Sequence, residues 1–82
     1  MAQKYVKRPI PVEALLFTGK NTKELLIWGE GKIEAGHSCL LIHTLEGTVS
    51  CPPDTMVVKG VFGEFYPCNL EVFNKIYEVW EG

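Results

Sequence analysis

The sequence predicts a small α+β domain: a mostly antiparallel curled β-sheet or barrel-like roll of five to seven strands, with one short helix and a C-terminal helical turn. Three observations lead there. Short runs of β-branched and aromatic residues alternate with glycine- and proline-marked turns, so hairpins dominate. A compact helical pattern, capped by Asn21, occurs once, over Leu25, Leu26 and Trp28. Several strands are apolar on both faces in a chain of only 82 residues, which favours a sheet curled around its own core.

The elements follow in order. Tyr5 to Arg8 is basic, with Lys4, Lys7 and Arg8, and leads into Pro9 and Pro11. Two prolines at alternate positions remove two donors on one side, which suits an edge strand and forbids a central one. Val12 to Phe17 reads as a strand with Val12, Ala14 and Leu16 on one face and Glu13, Leu15 and Phe17 on the other. Thr18-Gly19-Lys20 ends it. Asn21 then opens the helix, with its side chain capping the amide of Glu24 and Glu24 reaching back, and Gly29 as the glycine beyond its end. About two turns cannot stand alone in water, so this helix must lean on the sheet.

Gly31 to Gly36 reads as a loop or minor strand, and Ser38 to Thr44 as a strand covered on both faces. Leu45-Glu46-Gly47 turns it into Thr48-Val49-Ser50-Cys51, and Pro52-Pro53-Asp54 interrupts the pairing. Met56 to Lys59 and Glu64 to Tyr66 form the central hairpin around Gly60 to Gly63. Pro67 is expected to stop its second strand, and Asn69 to cap a helical turn through Leu70, Val72 and Phe73. Lys75 to Trp80 closes the chain as a last strand. No repeat, linker or low-complexity stretch interrupts this single domain, residues 1–82.

Composition bounds the function. An apolar fraction of 46% with 22% charged residues is that of a folded globular chain. A net charge of −2 disfavours general attraction to nucleic acid or anionic membrane. No apolar run reaches the ~20 residues of a membrane helix, and the expected location is the cytoplasm. Cys39, Cys51 and Cys68 are odd in number and contain no CxxC pair, so reduced, buried thiols are expected rather than disulfides.

Chemistry-bearing residues are few. His37, Cys39 and His43 fall at even spacing on one strand face, but the row is about 20 Å long at the strand rise, too long for one ion. No metal, cofactor or catalytic role is assigned. Lys59 and Glu64 flank the central turn and read first as a surface cross-strand ion pair. The functional alternative is a small polar mouth formed by Lys59, Glu64, Arg8 and Thr44, gripping a phosphate while Tyr66 or Phe62 stacks on a base.

Three blocks carry a family likeness: TLEGT at Thr44–Thr48, KGVFGEFYPC at Lys59–Cys68, and the F-x-x-x-Y of Phe73 and Tyr77. Together they resemble a family of small uncharacterised phage and prophage proteins, largely from phages of Gram-positive bacteria, with a PGDY-type signature between the first two blocks. The likeness spans roughly the C-terminal half and the opening KYVKRPIPVEALLF. The signature departs to Pro53-Asp54-Thr55-Met56, with Asp54 in the glycine place, where aspartate tolerates a left-handed backbone. The hairpin tip, often Asn-Gly in that family, is Phe62-Gly63, which either strains Phe62 or forms a longer loop with Phe62 exposed.

The resemblance implies a non-enzymatic accessory protein that engages a host protein or sequesters a small host molecule, such as a nucleotide signal used in defence. The alternative is a phage structural or assembly protein acting through homo-oligomer contacts. A homodimer is expected, with Trp80 and Tyr77 on the last strand as its seam; the alternative is a monomer in which Trp80 folds back over the short helix.

Overall fold

A computed structural model describes residues 2–81 as two three-stranded antiparallel sheets and two short helices. The elements are β1 (Glu13–Phe17), α1 (Thr22–Trp28), β2 (Ile33–Ala35), β3 (Leu40–Thr44), β4 (Gly47–Cys51), β5 (Thr55–Lys59), β6 (Phe65–Asn69) and α2 (Leu70–Ile76). One sheet has the order β1-β5-β6 and the other β2-β3-β4. They face each other with β6 lying against β3, and no ladder joins them into a closed barrel.

Strand alternation decides what is buried. From the first sheet Phe17, Val57 and Phe65 point inward, and from the second Ile33, Leu40, Ile42 and Cys51 meet them. Leu25 of α1 completes this core, and Trp28 sets its ring edge-on to Phe65 at 5.1 Å between centroids. Val58, one residue out of phase with Val57, is fully buried on the other face of β5, where α2 and Tyr77 cover the sheet.

The turns use the chemistry their residues supply. Gly60 to Glu64 closes the β5–β6 hairpin through Gly63 N–H to Gly60 C=O at 3.0 Å and Gly60 N–H to Glu64 C=O at 2.7 Å. Gly63 takes the positive φ of 80°, so Phe62 is unstrained and points outward, 89% exposed. Asp54 adopts φ 64°, the left-handed role expected from its place in the Pro-Asp turn.

Several local expectations are corrected. The proline-bearing segment before β1 forms no strand; the Ile10 N–H between the two prolines donates instead to the Arg8 carbonyl at 2.8 Å, a tight local turn. Pro67 does not end β6; it pairs with Val57 inside the strand. The Gly60–Glu64 bond makes every second pair a hydrogen-bonded one, so Pro67 falls between them with its nitrogen turned away from β5. Asn21 does not cap α1, since its Oδ1 accepts from Thr18 N–H at 2.9 Å and its Nδ2 donates to Leu16 C=O at 2.8 Å and to Glu24. Gly29 is right-handed, and its need for glycine is the side chain of Ile33 lying where a Cβ would go.

The largest correction is at the C-terminus. Asn69 caps α2 by accepting from Glu71 and Val72 N–H, as its position predicts. The helix then runs to Ile76 instead of ending after one turn, supported by Phe73 stacked on Tyr77 four residues on, at 4.7 Å. Lys75 and Ile76 are thereby helical, and Tyr77 to Trp80 form no strand.

Candidate functional site

β6 stacks over β3, leaving β4 uncovered as a ledge at one side of the molecule. The space above that ledge is a cleft of about 370 Å³. Leu45 and Val49 form one wall, and Phe65 and Pro67 the other. Thr44, Glu46 and Glu64 add polar residues to the lining; Tyr66 also borders it, but its ring is on the Val58 face of β6, toward Tyr77.

Both hairpin tips border this cleft, and each is held by its own side chains. Thr44 Oγ1 donates to Gly47 C=O at 2.6 Å and accepts from Glu46 N–H at 3.2 Å, tightening the two-residue turn. Glu64 Oε1 accepts from Phe62 N–H at 3.0 Å, and its carboxylate lies over Gly60, where any Cβ would collide with it. Lys32 Nζ reaches the Gly63 carbonyl at 3.2 Å and ties the turn after α1 to the same tip. The outermost side chains of the tips, Leu45 and Phe62, are left in solvent.

The Tyr66 hydroxyl lies 3.5 Å from that of Tyr77. Burial first, then the contact with Tyr77 and the nearby Glu64 charge, push its pKa up to about 12. It is therefore a neutral hydroxyl, able to donate and accept, at any physiological pH.

Of the six residues expected in a ligand mouth, three meet: Thr44, Glu64 and Tyr66. Lys59 does not face Glu64. The register sets it between Glu13 and Phe65, with Nζ 5.8 Å from the Phe65 ring centroid, in a separate cleft lined by Pro11, Val12 and Val61. The expected Lys59–Glu64 ion pair does not form, because the three-residue loop places Phe65, not Glu64, opposite Lys59. Arg8 lies on the exposed segment before β1, and Phe62 stands outside both clefts. The intended dimer seam is divided as well: Tyr77 is packed on Phe73 and Tyr66, whereas Trp80 is 60% exposed beyond α2.

One polar cluster was not anticipated. On the outer face of the second sheet, His43 Nε2 bonds Glu34 Oε2, and Nδ1 lies 2.8 Å from Thr48 Oγ1. A carboxylate can only accept, so Nε2 carries the proton and the Thr48 hydroxyl donates to Nδ1 when the ring is neutral. This is the one ion pair among the described residues. The expected covering of Ser38 to Thr44 on both faces does not hold, since Leu41 is half-buried and His43 exposed on this outer face, and which residues meet there depends on the register between three strands.

The row of His37, Cys39 and His43 does not converge. His43 is on β3 and engaged as above, His37 is exposed in the preceding turn, and Cys39 is half-buried against Gly36. Cys51 is fully buried, and desolvation raises its thiol pKa against a weaker opposing hydrogen bond to Thr55. All three cysteines are free, and among the described residues no group of three metal-binding side chains forms. No protein-family model, curated protein or solved structure matches this chain.

Proposed function

We propose that this chain is a small phage accessory protein that works by stoichiometric, non-enzymatic binding, and that it engages a segment of a host protein at the β4–β6 cleft. The observation that carries this reading is the character of the cleft: apolar walls from Leu45, Val49, Phe65 and Pro67, with polar groups at its rim. The phage setting comes from the likeness of the TLEGT and KGVFGEFYPC blocks. A nucleotide signal is the weaker ligand for this site. Its phosphates would meet the carboxylates of Glu46 and Glu64, while Lys59 and Arg8 lie elsewhere. An apolar side chain flanked by a Lys or Arg is the complementary partner feature.

The second reading, a structural or assembly protein, is favoured by the large side chains left uncovered, above all Phe62 and Trp80. Native mass spectrometry of protein purified from infected or lysogenic cells separates the two. The expected result is a stoichiometric complex with a host protein that Leu45→Asp abolishes without loss of folding. A bound small anion would overturn the choice of ligand, and a large homo-oligomer would favour assembly.

A further inference from the structure

The two sheets have four edge strands, and three of them are protected. On β1 the Leu16 carbonyl is taken by Asn21. β2 is only three residues long and carries Glu34. β6 has Pro67 at its centre, with the missing donor on its outward side. These are the usual devices against strand addition. β4, Gly-Thr-Val-Ser-Cys, has none of them: it is five residues long, uncharged and free of proline, and its first four residues are exposed.

The backbone of β4 shows which groups are free. His43 N–H donates to Lys32 C=O at 2.9 Å, toward β2, so the His43–Thr48 pair is not hydrogen-bonded. The same alternation holds at Leu41–Ser50. Thr48 and Ser50 therefore turn both N–H and C=O away from β3, giving two donors and two acceptors on one open edge.

We infer that β4 is the seam of a symmetric dimer, in which two copies pair their β4 strands antiparallel about a two-fold axis at Val49. The edge is self-complementary in that register. Thr48 bonds the partner's Ser50 and Ser50 bonds the partner's Thr48, making four backbone hydrogen bonds with no outward group wasted. The Thr48 and Ser50 hydroxyls then face each other across the seam, a favourable cross-strand pair. No like charges are opposed, because Glu46 falls opposite the partner's Pro52. The result is a continuous six-stranded sheet, closed by symmetry rather than open to further addition.

The dimer also changes the cleft. Since β6 lies over β3 and not over β4, the two ledges join as the floor of a single groove with a β6 wall on each side. Three strand spacings separate the walls, about 14 Å. The cleft of one copy is thus half of a two-fold site. That consequence rests on the proposed binding at the cleft; the seam itself does not.

Cross-linking tests the seam directly. Val49 of the two copies would form the non-bonded pair on the axis, with Cα atoms ~4.5 Å apart, within disulfide reach. Val49→Cys should oxidise to a covalent dimer in high yield, whereas the unaltered chain with its three native cysteines should not. Ser50→Pro removes only an outward donor. It should turn the unaltered dimer, twice 9.2 kDa by light scattering at tens of micromolar, into a monomer with an unchanged circular dichroism spectrum. Val49→Lys, which sets two charges on the axis, should do the same if the proline variant folds poorly. A monomeric mass for the unaltered protein overturns the inference. So does a dimer that survives these substitutions or fails to cross-link at residue 49. Undiminished host-protein binding by the Leu45→Asp variant would count against the cleft reading alone.

Discussion

Tyr66 shows how a residue chosen for stacking becomes a fixed polar group. Its hydroxyl is crowded by Tyr77 and by the Glu64 charge, and its pKa is pushed up to about 12 in the folded chain against an ordinary value of 10.0. A raised pKa on an acid means that the folded state resists ionisation more than the unfolded one. Its contribution is therefore complete below pH 10 and is lost as pH rises from there through about 12. The buried Cys51 thiol, also raised, adds a loss of the same sign above its ordinary 9.0. The melting temperature should fall across this alkaline range, and Tyr66→Phe should flatten part of the fall; an identical pH dependence in the variant would show that Tyr66 is not the group responsible. At the core, Val58 and Phe65 are closed to solvent on opposite faces of the first sheet. A carboxylate at either has no partner there, so Val58→Asp or Phe65→Asp should prevent soluble folding. A cooperative melt near that of the unaltered chain would mean that the two faces are wrongly assigned.

Among the elements, α2 depends most visibly on one side chain. The Asn69 carboxamide accepts two of the first amides of the helix, at 2.9 and 3.2 Å. Asn69→Ala should cost about 1 kcal/mol and lower the melting temperature by several degrees in a domain this small; an unmoved midpoint would deny that α2 is stabilised by its cap. The same stretch shows what was readable beforehand and what was not. Asn69 announced a helix start through local chemistry alone. The helix end was misread because Ile76, Glu78 and Trp80 alternate like a strand, yet a strand needs an edge to pair with, and Pro67 has closed the nearest one. Pro67 itself was misread for a related reason: whether proline breaks a strand depends on which side its nitrogen faces, a property of the register. Asn21 was given the wrong bonds because Leu16 and Thr18, which compete for its amide, come into reach only once the turn after β1 has formed.

For the whole molecule, the hairpins and their antiparallel pairing were legible from turn residues and alternation, whereas the division into two facing sheets was not. That division follows from long-range contact between β3 and β6, which no local pattern records. It also sets Leu45 and Val49 of one sheet beside Phe65 and Pro67 of the other around the cleft, whereas Lys59 is kept from Glu64 by the three-residue loop of the β5–β6 hairpin. Stability at this scale should come from packing alone. Chelator and reductant added together are expected to leave the thermal midpoint unmoved, and a drop of several degrees would reveal a metal or disulfide.

The central claim is that the second sheet leaves β4 open beside the cleft, with Thr48 and Ser50 directed outward. Residue-resolved amide hydrogen exchange on the unaltered chain, followed over a dilution series, tests it most directly. At the lowest concentration Thr48 and Ser50 should exchange freely while Val49 and Cys51, bonded to β3, are protected. Raising the concentration should protect Thr48 and Ser50 as β4 pairs with its mate. Protection of Thr48 and Ser50 that persists in the monomeric Val49→Lys variant would contradict the account, because another part of the same chain would then cover the edge.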